Sequence, residues 1–587
     1  MAFAFRKRAG LCLFAASLFL YQLAAQTVGG TILGVVRDPQ GAVIATAKVT
    51  LRNIDTGITR SLLCNETGAY RATNLQPGPY EATFESPGFS RGLRKDIVLN
   101  VGAEVTIDFA LTIGNIAETV EVNAAVGTVD LASATVNRTV EGLTIRELPL
   151  NGRDWTQLAT LQPGIASMGR NGGIRAGNGV KLTVSGARPS ENNYRLDGIS
   201  LNDNANNTPG SILGTNLGVE AIREFSVVSN NYSAEYGRAS GGVLNAVTRS
   251  GTNDLHGTLF YFHRNSALDA RNFFDPSTRP LFRRHQFGAA AGGPVVKNKT
   301  FWFANYESVR EFLATTSIVN TLSSNARLGR LGAGSVNVDP AVSKVLPLMP
   351  LPNGPLLGNG DTGQYISQID KIASGYYLLG KIDHRASDKD SLTGSFFLDR
   401  GNANAPDASR TKRTRDESKR SAAILEWTRT INPSILNVAR FGFSRNVTNS
   451  GNIIDILNPL LKDPSLGFLP GYNIGAISVP GITFPGGGPG SLDVTRIAFN
   501  SFQFHENLFI NKGLHSIKLG FTSERMQYNY DLPNLTGGSF SFGTISVSSP
   551  IVPSASAPST PVATPSAASA KPSSPATPRT IFASART

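Results

Sequence analysis

The histidines of this chain are the side chains best suited to chemistry, but their spacing does not form a reactive pattern. They stand at positions 256, 263, 285, 384, 505 and 515. No HExxH or HxxE pair occurs, so no helix is predicted to present zinc ligands and a general base on one face. The sequence also contains no GxSxG and no GxxxxGK[ST], so neither a nucleophile elbow nor a phosphate loop is supported. We therefore expect no catalytic residue and no enzyme activity.

Carboxylate and amide side chains are concentrated in residues 196–207. This stretch contains Asp197, Asp203 and several asparagines, and oxygen ligands of this kind can coordinate calcium. Aspartate and asparagine are also typical of tight turns, where their side chains accept hydrogen bonds from the backbone. We favour the turn interpretation, so the sequence predicts neither a metal site nor a cofactor.

The elements that position these residues are predicted to be strands. The 587 residues include 60 Gly, 33 Pro and 31 Phe, whereas charged residues make up 17%. Many short strands joined by turns fit this composition better than long amphipathic helices do. The formal net charge is +13, but Lys and Arg are scattered along the chain. We interpret them as residues of a polar lumen and of loops, and we expect no nucleic-acid partner.

Residues 1–26 are predicted to be a secretory signal peptide. A basic start (Arg6, Lys7, Arg8) precedes an apolar stretch, which ends in small residues. A retained anchor helix is the alternative. Cys12 lies in this leader, so Cys64 is the only cysteine of the predicted mature chain. A disulfide framework within one chain and a thiolate metal cluster are therefore excluded. No later apolar run could span a membrane as a helix, so an inserted chain must form a closed β-barrel.

Residues 27–113 are predicted to form a soluble β-sandwich that folds alone. Apolar residues alternate along the predicted strands, and Gly- and Pro-containing turns separate them. The expected core residues are Val36, Val49, Tyr70, Leu75, Tyr80 and Phe89. The segment resembles the carboxypeptidase-regulatory-like (transthyretin-like) module in its pattern Gly34-x-Val36-x-Asp38-x-x-Gly41, Thr67-Gly68-x-Tyr70 and Leu75-x-Pro77-Gly78-x-Tyr80. It contains no histidine, so the resemblance implies no peptidase chemistry.

Residues 127–253 contain the most specific pattern of the chain. Two apolar strands are predicted near 222–228 and 243–247, with Gly241 and Gly242 allowing a tight reversal between them. An ordered series of short motifs accompanies these strands, and its key residues are Leu196, Asp197, Gly198, Glu224, Tyr236, Gly237, Gly241, Gly242 and Asn245. The series resembles the plug domain of TonB-dependent outer-membrane receptors. The phrase at 147–164 is similar to the Oar-like branch of that family, which also carries the N-terminal sandwich.

Residues 114–126 are predicted to be a linker with a short extended segment. A free strand of this kind can pair by edge addition with another protein. The resemblance implies that a TonB-type energy-coupling protein captures such a segment, and the candidate residues are Glu118, Thr119, Val120, Glu121, Val122 and Asn123. The alternative is that this segment is the last strand of the sandwich or a plain linker. It departs from the family's commoner acidic-Thr-Ile/Val-Val-Val-Thr pattern.

Residues 254–549 are predicted to be part of a transmembrane antiparallel β-barrel. Phe441 and Phe502 fall on one face of their strands, whereas Arg440 and Gln503 fall on the other, as lipid outside and water inside require. A soluble sandwich would show the same period. The phrases at 287–308, 381–397 and 431–443 resemble Oar-like barrel hairpins. Residues 310–376 are the candidate for a large extracellular loop.

The number of barrel strands and the tail suggest a truncated receptor. About ten strands are expected, whereas a lumen that holds a plug needs roughly 22. Residues 550–587 are rich in Pro, Ser, Ala and Thr and are predicted to be disordered; a natural linker is the alternative to a cut or frameshift. An open sheet would leave unpaired edges in hydrocarbon. We therefore do not expect this chain alone to assemble as a working monomeric transporter.

The resemblance as a whole implies a mainly β fold and a transport function. The expected order is sandwich, α+β plug and partial barrel in the outer membrane of a Gram-negative bacterium, with the N-terminal domain in the periplasm. The expected partners are the energy-coupling protein, outer-membrane lipid and an extracellular ligand that the sequence does not identify, in a family whose ligands include iron chelates and oligosaccharides. A structural or adhesive envelope protein of the same architecture is the alternative.

Overall fold

The computed structural model describes the chain in several ranges. These are residues 29–114, 119–122, 136–148, 150, 152–168, 179–203, 205–211, 213, 218–230, 236–237, 239–271, 275, 279–467, 474–482, 494–513, 515–531, 539–541 and 554–556. The predicted leader lies outside the described residues, as does most of the predicted tail. In the described part of that tail, a short strand is present at Ser554–Ser556.

The N-terminal unit is a two-sheet sandwich, as the alternation of its apolar residues predicts. Its strands are β1 (Gly30–Arg37), β2 (Lys48–Asn53), β3 (Thr59–Leu63), β4 (Ala69–Leu75), β5 (Gly78–Glu85), β6 (Arg91–Leu99), β7 (Glu104–Thr106), β8 (Phe109–Ala110) and β9 (Thr119–Val122). One sheet has the order β4-β1-β7, with β8 also on β1, and the other has the order β3-β2-β5-β6-β9.

The core of the sandwich lies between these sheets. Five of the predicted core residues are 6% exposed or less, namely Val36, Val49, Tyr70, Leu75 and Tyr80. Phe89 is partly buried and packs against them. Phe84 is fully buried and stacks on Phe109 with ring centroids 4.4 Å apart. The predicted core is confirmed.

The plug combines a mixed sheet with short helices. Its strands are β10 (Val136–Glu141), β11 (Ile165–Ser167), β12 (Leu182–Val184), β13 (Asn193–Leu196), β14 (Ile199–Ser200), β15 (Ile222–Asn230) and β16 (Val243–Thr248). The main sheet has the order β10-β15-β16-β13-β14, and β11 pairs with β12. Helix α1 (Gly142–Glu147) and the 3₁₀ helices Trp155–Leu161, Pro189–Glu191 and Val219–Ala221 flank it.

The remaining elements build the barrel wall and its loops. The strands are β17 (His256–Asn265), β18 (Phe282–Val296), β19 (Thr300–Leu322), β20 (Arg330–Leu331), β21 (Gly334–Ser335), β22 (Leu356–Leu357), β23 (Thr362–Arg385), β24 (Asp390–Pro406), β25 (Lys412–Asn432), β26 (Ile435–Ile456), β27 (Ala476–Ser478), β28 (Thr495–Lys512), β29 (His515–Asp531), β30 (Ser539–Ser541) and β31 (Ser554–Ser556). The helices are α2 (Ser324–Arg327) and α3 (Pro340–Val345), with 3₁₀ turns at Ser266–Leu268, Leu346–Leu348, Pro459–Lys462 and Pro464–Leu466.

The barrel wall is one antiparallel sheet that follows the chain. Its order is β17-β18-β19-β23-β24-β25-β26-β28-β29, and the two-residue strand β22 lies beside β23, which makes ten strands. Strands β17 and β29 stand at the two ends of this order. Within the described part of the chain, the sheet therefore does not close on itself.

The two faces of the wall differ as the sequence predicts. Arg440 and Gln503 are at most 5% exposed and face the plug, whereas Phe441 is 56% and Phe502 is 44% exposed on the opposite face. Successive side chains of a strand point to opposite faces, so one strand can present polar groups to the lumen and aromatic groups to lipid. The alternation is confirmed.

The large loop predicted at 310–376 is shorter in the structure, so that boundary was wrong. Strands β19 and β23 pair without interruption from Thr300 opposite His384 to Leu322 opposite Thr362. The hairpin continues beyond the apolar region because backbone pairing does not require an apolar face on either strand. Only residues 323–361 connect the two strands.

The helices of the described residues are short. Among the described residues, no helix is both long enough and apolar enough to cross a membrane.

Candidate functional site

The predicted Leu196-Asp197-Gly198 turn lies where the plug meets the barrel wall. Asp197 has a φ of 45° and Gly198 a φ of 86°, so both adopt the left-handed conformation that aspartate and glycine tolerate. A Cβ on Gly198 would overlap the guanidinium of Arg440 on β26. Glycine is therefore needed at this position for both its backbone conformation and the close approach of the barrel.

The carboxylate of Asp197 joins the plug to itself and to the barrel. It accepts hydrogen bonds from the Thr248 backbone N–H (2.9 Å) and the Thr248 hydroxyl (2.7 Å). It also accepts one from the hydroxyl of Ser395 on β24 at 3.2 Å. Lys381 Nζ on β23 donates to the Thr248 hydroxyl at 3.2 Å. These contacts hold the end of β16 against the wall through polar groups alone.

A second contact between plug and wall is a buried ion cluster formed by Arg153, Glu220, Arg249 and Glu307. Arg153 Nη2 lies 2.8 Å from Glu220 Oε1, and Arg153 Nε lies 3.7 Å from Glu307 Oε1. Arg249 Nη1 lies 3.8 Å from Glu220 Oε2. Because Glu307 belongs to β19 while the other three belong to the plug, the cluster crosses the interface.

The groups around Glu307 complete the ion cluster. Glu307 is fully buried and accepts hydrogen bonds from Gln286 Nε2 (2.6 Å) on β18 and from the Gly218 backbone N–H (2.9 Å). The Arg153 guanidinium lies 4.3 Å from the ring centroid of Phe260 on β17. A buried ion pair is stable only when further hydrogen bonds satisfy its remaining polar atoms. Gln286 and Gly218 do so for Glu307, whereas Arg153 Nε and Glu220 Oε2 are held only by charge, at 3.7 and 3.8 Å from their partners.

Sequence reasoning missed the members of this cluster as functional residues. Arg153 lies inside the 147–164 phrase, and Glu220 lies two residues before Ile222, the start of a predicted strand. Both were therefore within segments recognised as specific to the family. The pairing of Arg153 with Glu307 could not be read from the sequence because Glu307 lies in a different domain.

Glu224, one of the predicted plug residues, contacts the sandwich rather than the barrel. It is buried, and its carboxylate accepts a hydrogen bond from the Val101 backbone N–H at 2.9 Å. Nearby, Arg223 lies 3.6 Å from Asp55 of the sandwich, and the Asn253 backbone N–H donates to the Asp55 carbonyl at 2.9 Å. The plug and the sandwich therefore share a polar interface.

The sandwich also touches short turns of the barrel. Asn65 Nδ2 donates to the Gly513 carbonyl at 2.8 Å, and Asn511 Nδ2 donates to the Arg71 carbonyl at 3.3 Å. Both barrel residues belong to the Asn511-Lys512-Gly513 turn. The sandwich thus lies at the end of the wall that carries short turns, opposite the end that carries the loop at 323–361.

The glycines predicted to reverse the chain before β16 have a different role. Neither Gly241 nor Gly242 has a positive φ. A Cβ on Gly241 would lie 2.6 Å from Asn192 Oδ1, and one on Gly242 would lie 2.6 Å from Val184 Cγ1. They are required by close packing, so the expectation of a conformational role was wrong.

The other predicted plug residues lie beside this packing. Asn245 is buried, and its Nδ2 lies 3.4 Å from the Tyr236 hydroxyl oxygen. The Gly237 carbonyl accepts a hydrogen bond from Asn193 Nδ2 at 3.3 Å. Asp203, the other carboxylate considered for calcium, accepts hydrogen bonds from the backbone N–H groups of Ala205 and Asn207, both at 2.9 Å.

The described part of the candidate coupling segment is strand β9. Its four residues pair in parallel with β6, from Thr119 opposite Arg91 to Val122 opposite Arg94. Glu118 and Asn123 lie outside the described residues. Strand β9 stands at the end of its sheet order, so the segment has the position that the alternative interpretation gave it, at the edge of the sandwich.

A cavity of about 510 Å³ lies where the sandwich, the plug and the wall meet. The sandwich contributes Arg60 and Tyr80, the plug contributes Asp197 and Arg223, and the wall contributes residues of β23, β24 and β25. Burial raises the pKa of Tyr80 to about 12, so the phenol stays neutral and donates a hydrogen bond to the Gln76 carbonyl at 2.8 Å. The cavity is lined by both charged and apolar side chains, and Asp197 and Thr248 of the plug–wall contacts are among them.

Comparison with known families identifies both ends of this architecture. Residues 247–570, more than half of the chain, match the family described as outer membrane beta barrel domain. Residues 31–112 match the carboxypeptidase regulatory-like domain. The match to the first family covers the strands β17–β29, and the match to the second covers the sandwich.

The chain is also similar to individual proteins. The chain is 29% identical over 303 residues to the TonB-dependent transporter Oar of Myxococcus xanthus, an alignment that covers 49% of this chain and 27% of that protein. Among solved structures, it is similar to the outer membrane transporter YddB of Escherichia coli, with 14% identity, a TM-score of 0.43, and coverage of 69% of this chain and 50% of that one. It is also similar to the siderophore receptor PirA of Acinetobacter baumannii, with 13% identity, a TM-score of 0.41, and coverage of 68% of this chain and 49% of that one.

Proposed function

The chain belongs to the outer membrane β-barrel domain family, and from this premise we propose that it is a TonB-dependent transporter that takes up a ligand by energy-coupled movement of its plug. Its location is the outer membrane of a Gram-negative bacterium. The relative from Myxococcus xanthus is named a TonB-dependent transporter, and the chain spans 27% of the length of that protein.

The observation that best supports the proposal is that buried ion pairs and hydrogen bonds join the plug to the wall beside the apolar cluster that the two domains share. Asp197, Glu220 and Glu307 are held by hydrogen bonds and by ion pairs across or beside the interface. Water can replace such partners when the plug moves, whereas separating an apolar interface costs about 25 cal/mol for each Å² exposed. A plug domain that must separate from the barrel wall and bind it again is expected to use such contacts.

The connectivity gives a route for a mechanical pull. In the described part of the chain, the strand that follows β9 is β10, which is at the edge of the plug sheet and pairs with β15. A pull on the start of β10 would separate its pairs with β15 one after another, beginning with Val136 opposite Asn230. Farther along the chain, the first member of the buried ion cluster to be reached is Arg153.

The coupling segment is available for strand addition at the edge of the sandwich. One side of β9 pairs with β6, and no described residue pairs with its other side. An exposed edge of this kind accepts a further strand through backbone hydrogen bonds. We propose that the coupling protein adds to this edge, with the sandwich on the periplasmic side of the membrane.

The proposal is tested by binding of the coupling protein's periplasmic domain to the full chain in detergent. Deletion of residues 118–123 and, separately, Val120→Pro are expected to weaken binding at least about tenfold, because proline removes a backbone donor and disfavours strand pairing. Val120→Ala is the matched control and should bind within about twofold of the unchanged chain, since it keeps the backbone N–H.

Circular dichroism of the sandwich separates a binding defect from a folding defect in these variants. Unchanged binding after deletion of residues 118–123 would contradict the proposed coupling segment. Absence of binding by the unchanged chain would contradict energy-coupled transport and favour a structural or adhesive role.

A further inference from the structure

The outward face of the barrel wall carries a row of arginines at one height. The row consists of Arg310 on β19, Arg400 on β24 and Arg445 on β26. Their strands begin after the short turns at 297–299, 386–389 and 433–434. Each arginine therefore lies eleven residues beyond the last residue of its turn, at 299, 389 and 434. Three strands that differ in sequence thus place the same side chain at the same level.

The orientation of the row follows from its neighbours on each strand. Val309 and Asp399 are at most 5% exposed, and Ser444 is 7% exposed. Because successive side chains point to opposite faces, the adjacent arginines point away from the plug. Arg310 and Arg445 are exposed and Arg400 is partly exposed.

The outward positions between the turns and the arginines are uncharged, apart from Asp390 at the turn end of β24. On β24 they are Leu392, Gly394, Phe396 and Leu398, and on β26 they include Ala439, Phe441 and Phe443. Eleven residues of a strand tilted by about 40° rise roughly 28 Å. The apolar band of an outer-membrane barrel is about 25 Å tall. The arginine row therefore lies where hydrocarbon gives way to lipid headgroups.

The charge of the row is not neutralised by carboxylates of the wall. Among the described residues, none of the three arginines forms an ion pair, and Arg445 donates instead to Asn500 Oδ1 at 2.7 Å. At a similar level, Lys419 lies 4.0 Å from Glu417, and Arg525 faces outward beside Phe502 on the neighbouring strand. The guanidinium group binds phosphate through two parallel hydrogen bonds.

We propose that the arginine row binds the phosphate groups of phosphorylated lipid in the outer leaflet and fixes the depth of the barrel in the membrane. The ligand is a membrane lipid because the uncharged band directly below the row requires acyl chains against it. This site is on the opposite side of the wall from the plug, so it is separate from the transport path.

The test compares charge changes at the two ends of the same wall. The purified full chain in a zwitterionic detergent is titrated with bisphosphorylated lipid A and with the same lipid after removal of its phosphates. The variant R310Q/R400Q/R445Q is expected to bind the phosphorylated lipid at least about tenfold more weakly. The matched control K297Q/K389Q/K512Q removes the same charge at the turn end and should remain within about twofold.

A second variant separates charge from folding. R310K/R400K/R445K keeps the positive charges and should lose less affinity than the glutamine variant, and far-UV circular dichroism should be equal for all variants. The proposal is overturned if the control loses as much affinity as the row variant, or if the lipid without phosphates binds equally well. Displacement of the lipid by excess inorganic phosphate would also overturn it, because that result indicates a site for small anions.

Discussion

The core of the sandwich is apolar, whereas the interface between plug and wall also buries charged groups. The sandwich buries a continuous apolar cluster that includes Phe84 and Phe109. The interface buries Arg153, Glu220 and Glu307. The wall also contributes apolar residues, such as Leu379 and Phe397, to a cluster that it shares with the plug. The interface therefore combines apolar packing with buried charged and hydrogen-bonding groups, whereas the sandwich core is apolar.

This difference in contacts indicates that the sandwich is a permanent unit, whereas the plug can leave the barrel wall. Apolar burial is non-directional and persists through small movements, so the sandwich is expected to stay folded during any transport cycle. Buried charges are stable only in their complete set of partners. The plug is therefore expected to be either fully seated or released, with little stability in between.

The largest expected effect is in the sandwich core. Phe84→Ala in a fragment of residues 27–113 should lower the free energy of unfolding by about 3–5 kcal/mol, because the ring is fully buried. Urea titration followed by far-UV circular dichroism measures the change. Leu63→Ala is the control, since Leu63 is 59% exposed and should cost less than about 0.5 kcal/mol. Equal losses of stability for Phe84→Ala and Leu63→Ala would contradict the importance of the apolar core for the sandwich.

The next effect is in the buried ion cluster. Arg153→Met leaves Glu220 and Glu307 without their shared cation and should destabilise the seated plug by about 3 kcal/mol. Hydrogen exchange of residues 218–230 in the full chain should become faster, while exchange in the sandwich core does not change. Arg223→Met is the control, because its pair with Asp55 is partly exposed and contributes at most about 1 kcal/mol. A faster sandwich exchange would show that the two regions are one unit.

A smaller effect is expected at the plug turn. Asp197→Asn keeps one acceptor oxygen but replaces the other with a donor, so the hydroxyls of Thr248 and Ser395 lose the oxygen to which both donate. The loss should be about 1–2 kcal/mol, visible as faster exchange of the Thr248 backbone N–H. Ser395→Ala should have less effect, because it removes a single 3.2 Å contact and leaves both contacts from Thr248. If Ser395→Ala were as destabilising as Asp197→Asn, the contact of Asp197 with the wall would contribute more than its contacts with Thr248.

The smallest effect is a pH dependence confined to the sandwich. Burial raises the pKa of the Cys64 thiol from 9.0 to about 11, because the thiolate is poorly solvated there. The contribution to stability is fully present below pH 9.0 and declines as the pH rises toward 11, since the unfolded chain ionises first. The unfolding free energy of the fragment should fall between pH 9 and pH 11, and that of the Cys64→Ala fragment should fall less. Alkylation of the folded fragment at pH 8 should be slow, and rapid labelling would contradict the burial.

The sequence by itself determined the faces of the strands and the order of the domains. Val36, Val49 and Tyr70 were recognisable as core, and Phe441 and Phe502 as outward residues, because a strand alternates with a period of two residues. The turn at Asp197 and Gly198 was recognisable because few residue types accept that backbone conformation. These properties depend on near neighbours in the chain, so they can be read locally.

Only the tertiary structure decided which elements meet. The pairing of β19 with β23 beyond residue 310, the parallel pairing of β9 with β6, and the contact of Glu224 with Val101 join residues that are far apart in the chain. The same holds for Arg153, Glu220 and Glu307. A charged residue has the same appearance in a sequence whether its partner is water or a buried ion of another domain. Its environment is fixed only when long-range packing removes the water, and that step is not encoded in any local pattern.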